Sequence, residues 1–338
     1  MSNLEITAAS SADTFADTPF HSGERAVQQR VGVLEKMATR GQLIRSFMPD
    51  QHRDFFQQLP FMIVGSVDRR QQPWASIVTG APGFVTSPDA GHLAIHAPLL
   101  PADPLQQTLV EHAAIGLLGI EPHTRRRNRM NGKVEKSDAA GWTLKVEQSF
   151  GNCPKYIQAR RPSLVEDADA AAPVVHRSGQ LDSAMQKLIA ASDTFFIATA
   201  YFGKPVDESA VASTANNRQH GVDVSHRGGK PGFVRIDDEK TLTVPDFVGN
   251  FFFNTIGNLV EHPRAGLLFI DFVSGDLLYL AVSAELIWDG PEVAAFKGAE
   301  RLLRFHVEQA IRVEASLPLR WSEAELSPAL APMGSWQA

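Results

Sequence analysis

The sequence carries one cysteine in 338 residues, Cys153, so no disulfide can form within the chain and no thiolate metal site can be built from it. No apolar run approaches the roughly 20 residues that a helix needs to cross a bilayer. The opening residues MSNLEITAASSADTF have neither the basic start nor the apolar stretch of a secretory leader. Neither sign of charge dominates: 32 Lys and Arg stand against 38 Asp and Glu, a formal net charge of −6. The chain as a whole therefore has no attraction to polyanions. These absences lead us to expect a cytoplasmic protein with no membrane or nucleic-acid partner. Residues 1–20 are read as a disordered lead-in, and the length leads us to expect two domains.

What the sequence does have is an internal match at a nearly fixed offset. Gly80-Ala-Pro-Gly-Phe-Val85 recurs as Gly229-Lys-Pro-Gly-Phe-Val234, and Leu109-Val-Glu-His-Ala-Ala-Ile-Gly-Leu-Leu-Gly-Ile120 as Leu259-Val-Glu-His-Pro-Arg-Ala-Gly-Leu-Leu-Phe-Ile270. Upstream, the β-prone runs Phe61–Val67 and Phe195–Tyr201 correspond, with an insertion at 204–221 in the second copy. Each copy reads as an apolar strand, a second strand into a Pro-Gly hairpin, two more strands, a helix ending at Glu-His, and a strongly apolar strand. In the second copy, strands are expected at 222–227, 233–236, 242–245, 266–272 and 277–287. The first two flank the turn formers Gly228-Gly-Lys-Pro-Gly232, and a helix is expected over 250–260. Helical spacing of apolar residues also suggests helices at 21–37 and 293–313. The divisions that follow are 1–20 lead-in, 21–165 first copy, 166–180 linker, 181–290 second copy, and 291–338 C-terminal helix and tail. Mostly antiparallel strands with one helix among them suggest a closed or partly open barrel.

Two runs in the second copy are poor as core and good as a ligand cradle. Val224-Ser-His-Arg227 ends a strand with a hydroxyl, an imidazole and a guanidinium, and Arg can pair two phosphate oxygens at once. Pro245-Asp-Phe-Val-Gly-Asn-Phe-Phe-Phe-Asn-Thr-Ile-Gly-Asn258 sets a helix start, favourable to anions, near Asn250, with Asn254, Thr255 and Asn258 within helical reach of one another. Each has a plainer reading: solvated hairpin residues at Ser225–Arg227, solvent-facing positions at Asn254 and Asn258, a cap or turn role for Asp246. His92 and His96 share a strand face without metal spacing, and no metal site is expected. Arg125-Arg-Arg-Asn-Arg129 could touch a flavin phosphate of a neighbouring barrel, touch a nicotinamide nucleotide phosphate, or lie in water. Cys153 sits in a turn-like sequence with no neighbouring base.

The pattern SHRGG-x-PGFV, then PDF-x-GN-xx-FNT-x-GNL, then HP before an apolar strand, resembles the FMN-binding split barrels related to pyridoxamine 5′-phosphate oxidase. The first half, including Phe150-Gly-Asn-Cys-Pro-Lys-Tyr-Ile157, is similar to a subgroup with two tandem copies. The resemblance covers most of 20–290 and is more specific in the second copy. It implies a mainly β fold with flanking helices (α+β), two tandem split β-barrels, FMN as cofactor, and a homodimer. Carried over by position, it sets Val224, Ser225, His226 and Arg227 along the ring or ribityl chain and Asn254, Thr255 and Asn258 near the phosphate, with Asp246 and Asn250 alongside. At the matching places the first copy reads Ser76-Ile77-Val78 and 104–108, a degenerate site. The arginine and histidine that grip pyridoxal phosphate have no clear counterpart. The function expected is an FMN-dependent oxidoreductase with a small-molecule substrate or electron donor, a reduced nicotinamide or a reductase partner, and no assigned catalytic residue. The alternative is a flavin or haem carrier, with His226 as a candidate iron ligand.

Overall fold

Apolar residues alternate or run together over short stretches along both halves, and both halves fold as antiparallel sheet. The computed structural model describes residues 18–138, 140–165, 173–203 and 219–336. Most of the lead-in, much of the linker expected at 166–180 and most of the insertion at 204–221 lie outside the described residues. In the first half the strands are β1 (Phe61–Val67), β2 (Pro73–Thr79), β3 (Val85–Asp89), β4 (His92–Ile95), β5 (Ala114–Glu121), β6 (Arg126–Asp138) and β7 (Gly141–Gly151). They form one sheet in the order β2-β1-β5-β6-β7-β4-β3. After β8 (Pro162–Leu164) and β9 (Val175–Ser178) come β10 (Thr194–Tyr201), β11 (Gly221–Gly228), β12 (Arg235–Ile236), β13 (Thr241–Asp246), β14 (Arg264–Ile270), β15 (Leu277–Ile287), β16 (Arg301–Val313) and β17 (Leu319–Trp321). The second sheet runs β11-β10-β14-β15-β16-β13-β12, with β9 added beside β16, while β17 pairs with β8. Counted from β1 and from β10, the two orders are the same.

The ladders fix which residues correspond. Val64 lies opposite both Ser76 and Leu117, and Ile197 opposite both Ser225 and Leu267, so Ser76 answers to Ser225 and Val78 to Arg227. Arg129 faces Leu118 as Tyr279 faces Leu268. Neither sheet closes. Each path ends on strands joined only by a short connection, 80–84 or 229–234, so the sheet must curl to bring its edges that close. The hairpin expected around Gly228–Gly232 is therefore not a hairpin: β11 pairs with β10, and β12 with β13. Its turn formers carry the chain from one edge of the sheet to the other.

The halves pack face to face through a shared core in which Ile63 and Leu118 meet Phe196, Leu268 and Tyr279. Two glycines allow the approach. A Cβ on Gly116 would lie 2.4 Å from the Val222 carbonyl oxygen, and one on Gly266, its counterpart, 2.4 Å from that of Pro73. This is a physical reason for the repeated Gly-Leu-Leu.

Seven helices are described: α1 (Ser22–Arg30), α2 (Leu34–Arg40), α3 (Asp50–Gln57), α4 (Leu105–Thr108), α5 (Ser183–Ala191), α6 (Asn254–Glu261) and α7 (Pro291–Ala295). Three helical expectations need correction. The helix expected at 21–37 is broken at Gly32, whose φ is +72°. The one expected over 250–260 starts at Asn254, because Phe251 and Phe253 hold left-handed backbone, φ +66° and +63°. The C-terminal helix expected over 293–313 is mostly the strand β16, which extends the second sheet past 290. Leu303, Phe305 and Val307 alternate with Arg304 and His306 as a half-buried strand requires. A bulge at Glu308 then shifts the phase, since Val282 faces Val307 while Ala281 faces Gln309. Among the described residues, no helix is long and apolar enough to cross a membrane.

Candidate functional site

The strand end Ser225-His226-Arg227 and the loop before α6 converge on a cleft between the halves. One wall is the second half: Ser225 to Gly228 of β11, Pro245 and Asp246 of β13, and Asn250, Phe251, Phe253, Asn254 and Thr255. The other is the first half: Arg127 and Arg129 of β6, then Asn152, Cys153, Lys155 and Tyr156. The basic run is sorted by strand alternation. Arg127 and Arg129 face the cleft, whereas Arg126 lies over the Phe55 ring and Arg125 pairs with Glu325.

Arg129 is the tie between the halves. Its Nη1 donates to Asp223 Oδ1 at 2.8 Å and its Nη2 donates to Ser225 Oγ. Asp223 also accepts from Asn131 Nδ2 at 2.8 Å and Asn258 Nδ2 at 3.0 Å. Burial lowers the pKa of Arg129, while Asp223 opposes the shift. Arg127 has no such partner. Its Nε donates to the Cys153 carbonyl at 2.8 Å and its Nη1 to the His226 carbonyl at 3.5 Å, and among the described residues no carboxylate is paired with it. Burial brings its pKa down to about 10, with Arg129 and Arg227 adding repulsion, so it remains charged at neutral pH. Arg227 donates to Asp246 Oδ1, whose other oxygen accepts from Arg301. Asp246 thus balances two arginines rather than one.

The sequence-expected residues divide on this geometry. Ser225, His226, Arg227, Asp246, Asn250, Asn254 and Thr255 line the cleft. Thr255 Oγ1 donates to Ser225 Oγ at 3.1 Å, tying α6 to β11. Asn254 is held by Glu24 Oε1 at 2.6 Å, and Asn250 accepts from the Phe252 backbone N–H at 3.1 Å. Val224 is core, and Asn258 is fully buried behind the lining. Its amide reaches Thr199 and Asp223 and its oxygen meets His21 Nε2 at 2.8 Å. The His226 ring is buried edge-on to Phe196. Burial first, then Arg127, Arg160 and Arg227, hold its pKa well below the ordinary histidine value, so the ring is neutral at pH 7. His226 Nδ1 and Arg227 Nε are buried without a hydrogen-bond partner.

Behind the lining, α1 packs on α6 through two glycines: a Cβ on Gly257 would stand 2.5 Å from the Glu24 nitrogen. Burial raises the Glu24 pKa well above the carboxylate range, and the nearby Asp223 pushes the same way. Burial lowers that of His21 to about 4. Sequence reasoning missed His21, Glu24, Asp223 and Tyr156. The last donates to the Val248 carbonyl at 3.1 Å and packs against Phe247, and Phe150–Ile157 was the segment that could have revealed it.

Residues 48–172 match the family model described as pyridoxamine 5′-phosphate oxidase. The match spans the strands of the first sheet, β1 to β7. The family match thus falls on the copy without the polar set, whereas the motifs that suggested it most specifically lie in the other. No curated protein matches the chain. Solved structures similar to it include HupZ from Group A Streptococcus (16% identity, 38% of this chain and 90% of that one, TM-score 0.28). Others are a candidate pyridoxamine 5′-phosphate oxidase from Lactobacillus delbrueckii (14%, 39% and 94%, 0.29) and a FAD-binding protein from Mesorhizobium loti (12%, 41% and 98%, 0.26). The region matched by the family model contributes Arg127 and Arg129 to a cleft whose other wall belongs to the second half.

Proposed function

We propose that the cleft between the halves binds FMN and that the chain is an FMN-dependent oxidoreductase, built from two tandem split barrels of which the second carries the polar set. The observation that carries this reading is Arg127, a half-buried guanidinium that has no carboxylate partner among the described residues and faces the cleft beside Arg129 and Arg227. A cation held away from water without a counter-charge is costly, and an anion entering the cleft removes the cost. Arg127 and Arg227 would hold the phosphate, with Arg129 behind them and Ser225 and Thr255 supplying hydroxyl contacts. Tyr156 and Phe253 give apolar surface suited to a flat ring. The unpartnered Nδ1 of neutral His226 and Nε of Arg227 are the polar atoms such a ligand would satisfy. When bound, the flavin would supply hydride or single-electron transfer. The protein's part is to orient the ring, fix the phosphate and limit water.

Asp246 serves here by holding Arg227 and Arg301 in place, and Asn258 by bracing Asp223. The paired barrels expected of a homodimer are supplied by the two halves of one chain, so the cleft needs no second copy. The substrate side is a small molecule or an electron donor such as a reduced nicotinamide or a reductase. The test is an absorbance spectrum of the purified full chain with the released cofactor identified by mass, followed by anaerobic titration with reduced nicotinamide and with a chemical reductant. A flavin spectrum that depends on Arg127 and bleaches on reduction supports the reading. A haem spectrum, or no chromophore and no uptake of added FMN, refutes it.

A further inference from the structure

The correspondence between the halves gives α1 a seat with a twin. On its own side α1 rests against Tyr201, Asn254, Gly257 and Asn258, with His21 stacked on Tyr201. The ladder and the repeated LVEH block place Asp68, Pro104, Gln107 and Thr108 at the equivalent positions. These four line an open groove on the other side of the molecule. No described helix covers it, and the backbone contact that α1 makes through Gly257 would be blocked there by the side chain of Gln107.

The groove is rimmed by Arg69, Arg70 and Arg177, with Gln106 and Gln309 beside them. Its two acids are already engaged. Asp68 accepts from the backbone N–H groups of Arg70 (2.8 Å) and Gln72 (3.0 Å) and from Trp74 Nε1 (3.3 Å). Asp103 is buried and accepts from Ser76 Oγ (2.5 Å), the Leu105 N–H (2.8 Å) and Tyr279 OH (3.0 Å). The three guanidiniums, by contrast, have no hydrogen-bond or ion-pair partner among the described residues. They are also presented on fixed backbone. The turn carrying Arg69 and Arg70 is closed by Asp68 and held from the second half by His262 Nε2 against the Gln71 carbonyl at 2.9 Å. Arg177 stands on β9 opposite Ile311 of β16. Exposed arginines on mobile turns are ordinarily solvated. Three from two distant stretches, converging unpaired on one groove whose acids are occupied, form a cationic receptor.

We propose that this groove is a second binding site, separate from the cleft, for a small ligand with at least two negative charges, a phosphate ester or a polycarboxylate. The probe is inorganic pyrophosphate, titrated calorimetrically into the full chain at low ionic strength. The cleft's own cation is removed first with Arg127→Ala, so that binding there does not mask the groove. We expect Arg127→Ala to bind pyrophosphate still, about one per chain. Adding Arg69→Ala, Arg70→Ala and Arg177→Ala should weaken this about tenfold or more. All three side chains are exposed, so circular dichroism and melting should be unchanged and the loss can be read as binding. The proposal is overturned if Arg127→Ala alone abolishes binding, or if the three further substitutions leave the affinity unchanged. Failure of the wild-type chain to take up FMN, with the groove titration intact, would refute only the cleft reading; a failed groove titration with wild-type FMN uptake intact would refute only this one.

Discussion

The two interfaces between the halves are built from corresponding residues and have opposite character. At one, Ser225 meets Arg129, and Arg127 and Arg227 leave positive charge facing an open cleft. At the other, the register puts Ser76 with Tyr279, and Leu277 and Val78 stand where Arg127 and Arg227 would be. There Asp103 fills the space between Ser76 and Tyr279 and is fully hydrogen-bonded. The same backbone thus gives one interface that leaves the Arg127 guanidinium without a carboxylate partner among the described residues and one whose buried carboxylate, Asp103, is met by its own hydrogen-bond donors. A pair of sites related by symmetry can lose one partner once both lie on a single chain, because each position is then free to change alone.

This contrast can be broken from either side. The largest effect is expected for Asp223→Ala, which leaves Arg129 buried without its counter-charge. Equilibrium unfolding in urea should show a loss of about 3–5 kcal/mol, and a loss below about 1 kcal/mol would mean that the tie between the halves lies elsewhere. Next is the pH dependence at the closed interface. Burial raises Asp103 from 3.8 to about 6, so between those values the folded state binds more protons than the unfolded state and stability falls as pH rises. His21, lowered from 6.5 to about 4, acts in the opposite sense over nearly the same window, since the unfolded state holds the proton there. Asp103→Asn removes the first contribution and leaves the second. From pH 4 to 6 the variant should gain on the order of 2–3 kcal/mol relative to wild type, and parallel pH profiles would contradict the assignment.

Gly257→Ala should cost about 1–3 kcal/mol by forcing α1 off α6, with increased proteolysis near α1 as the direct readout. Tyr279→Phe should cost about 1 kcal/mol in unfolding experiments and leave ligand uptake by the cleft untouched. A loss of uptake in that variant would show that the two interfaces are not independent.

Most of the strands were legible because their apolar residues repeat between the halves. Leu277–Ile287 and Phe61–Val67 have the expected bounds. The strand Arg301–Val313 was not, because the bulge at Glu308 and the adjacent buried Leu302 and Leu303 break the alternation and mimic a helical period. The helix start near Asn250 was misplaced because left-handed phenylalanines at 251 and 253 carry no sequence signal, unlike glycine. In the site, Ser225, Arg227 and Thr255 were readable from local motifs. Arg127 and Arg129 were visible as part of a basic run that could meet a phosphate or lie in water. Which of its arginines face the second half, and the role of Asp223, were not legible, because these rest on contacts between distant residues, as in the pair of Arg129 with Asp223, 94 positions apart. That contact exists only once both sheets have formed.

The central claim is that one interface is open to an anionic cofactor and its twin is closed, and stoichiometry tests it most directly. Apo protein carrying Arg69→Ala, Arg70→Ala and Arg177→Ala, so that the groove does not hold the phosphate, titrated with FMN and followed by flavin fluorescence should take up one FMN per chain, with uptake lost when Arg127→Ala is added and retained when Tyr279→Phe is added. Two FMN per chain, or none, would contradict it.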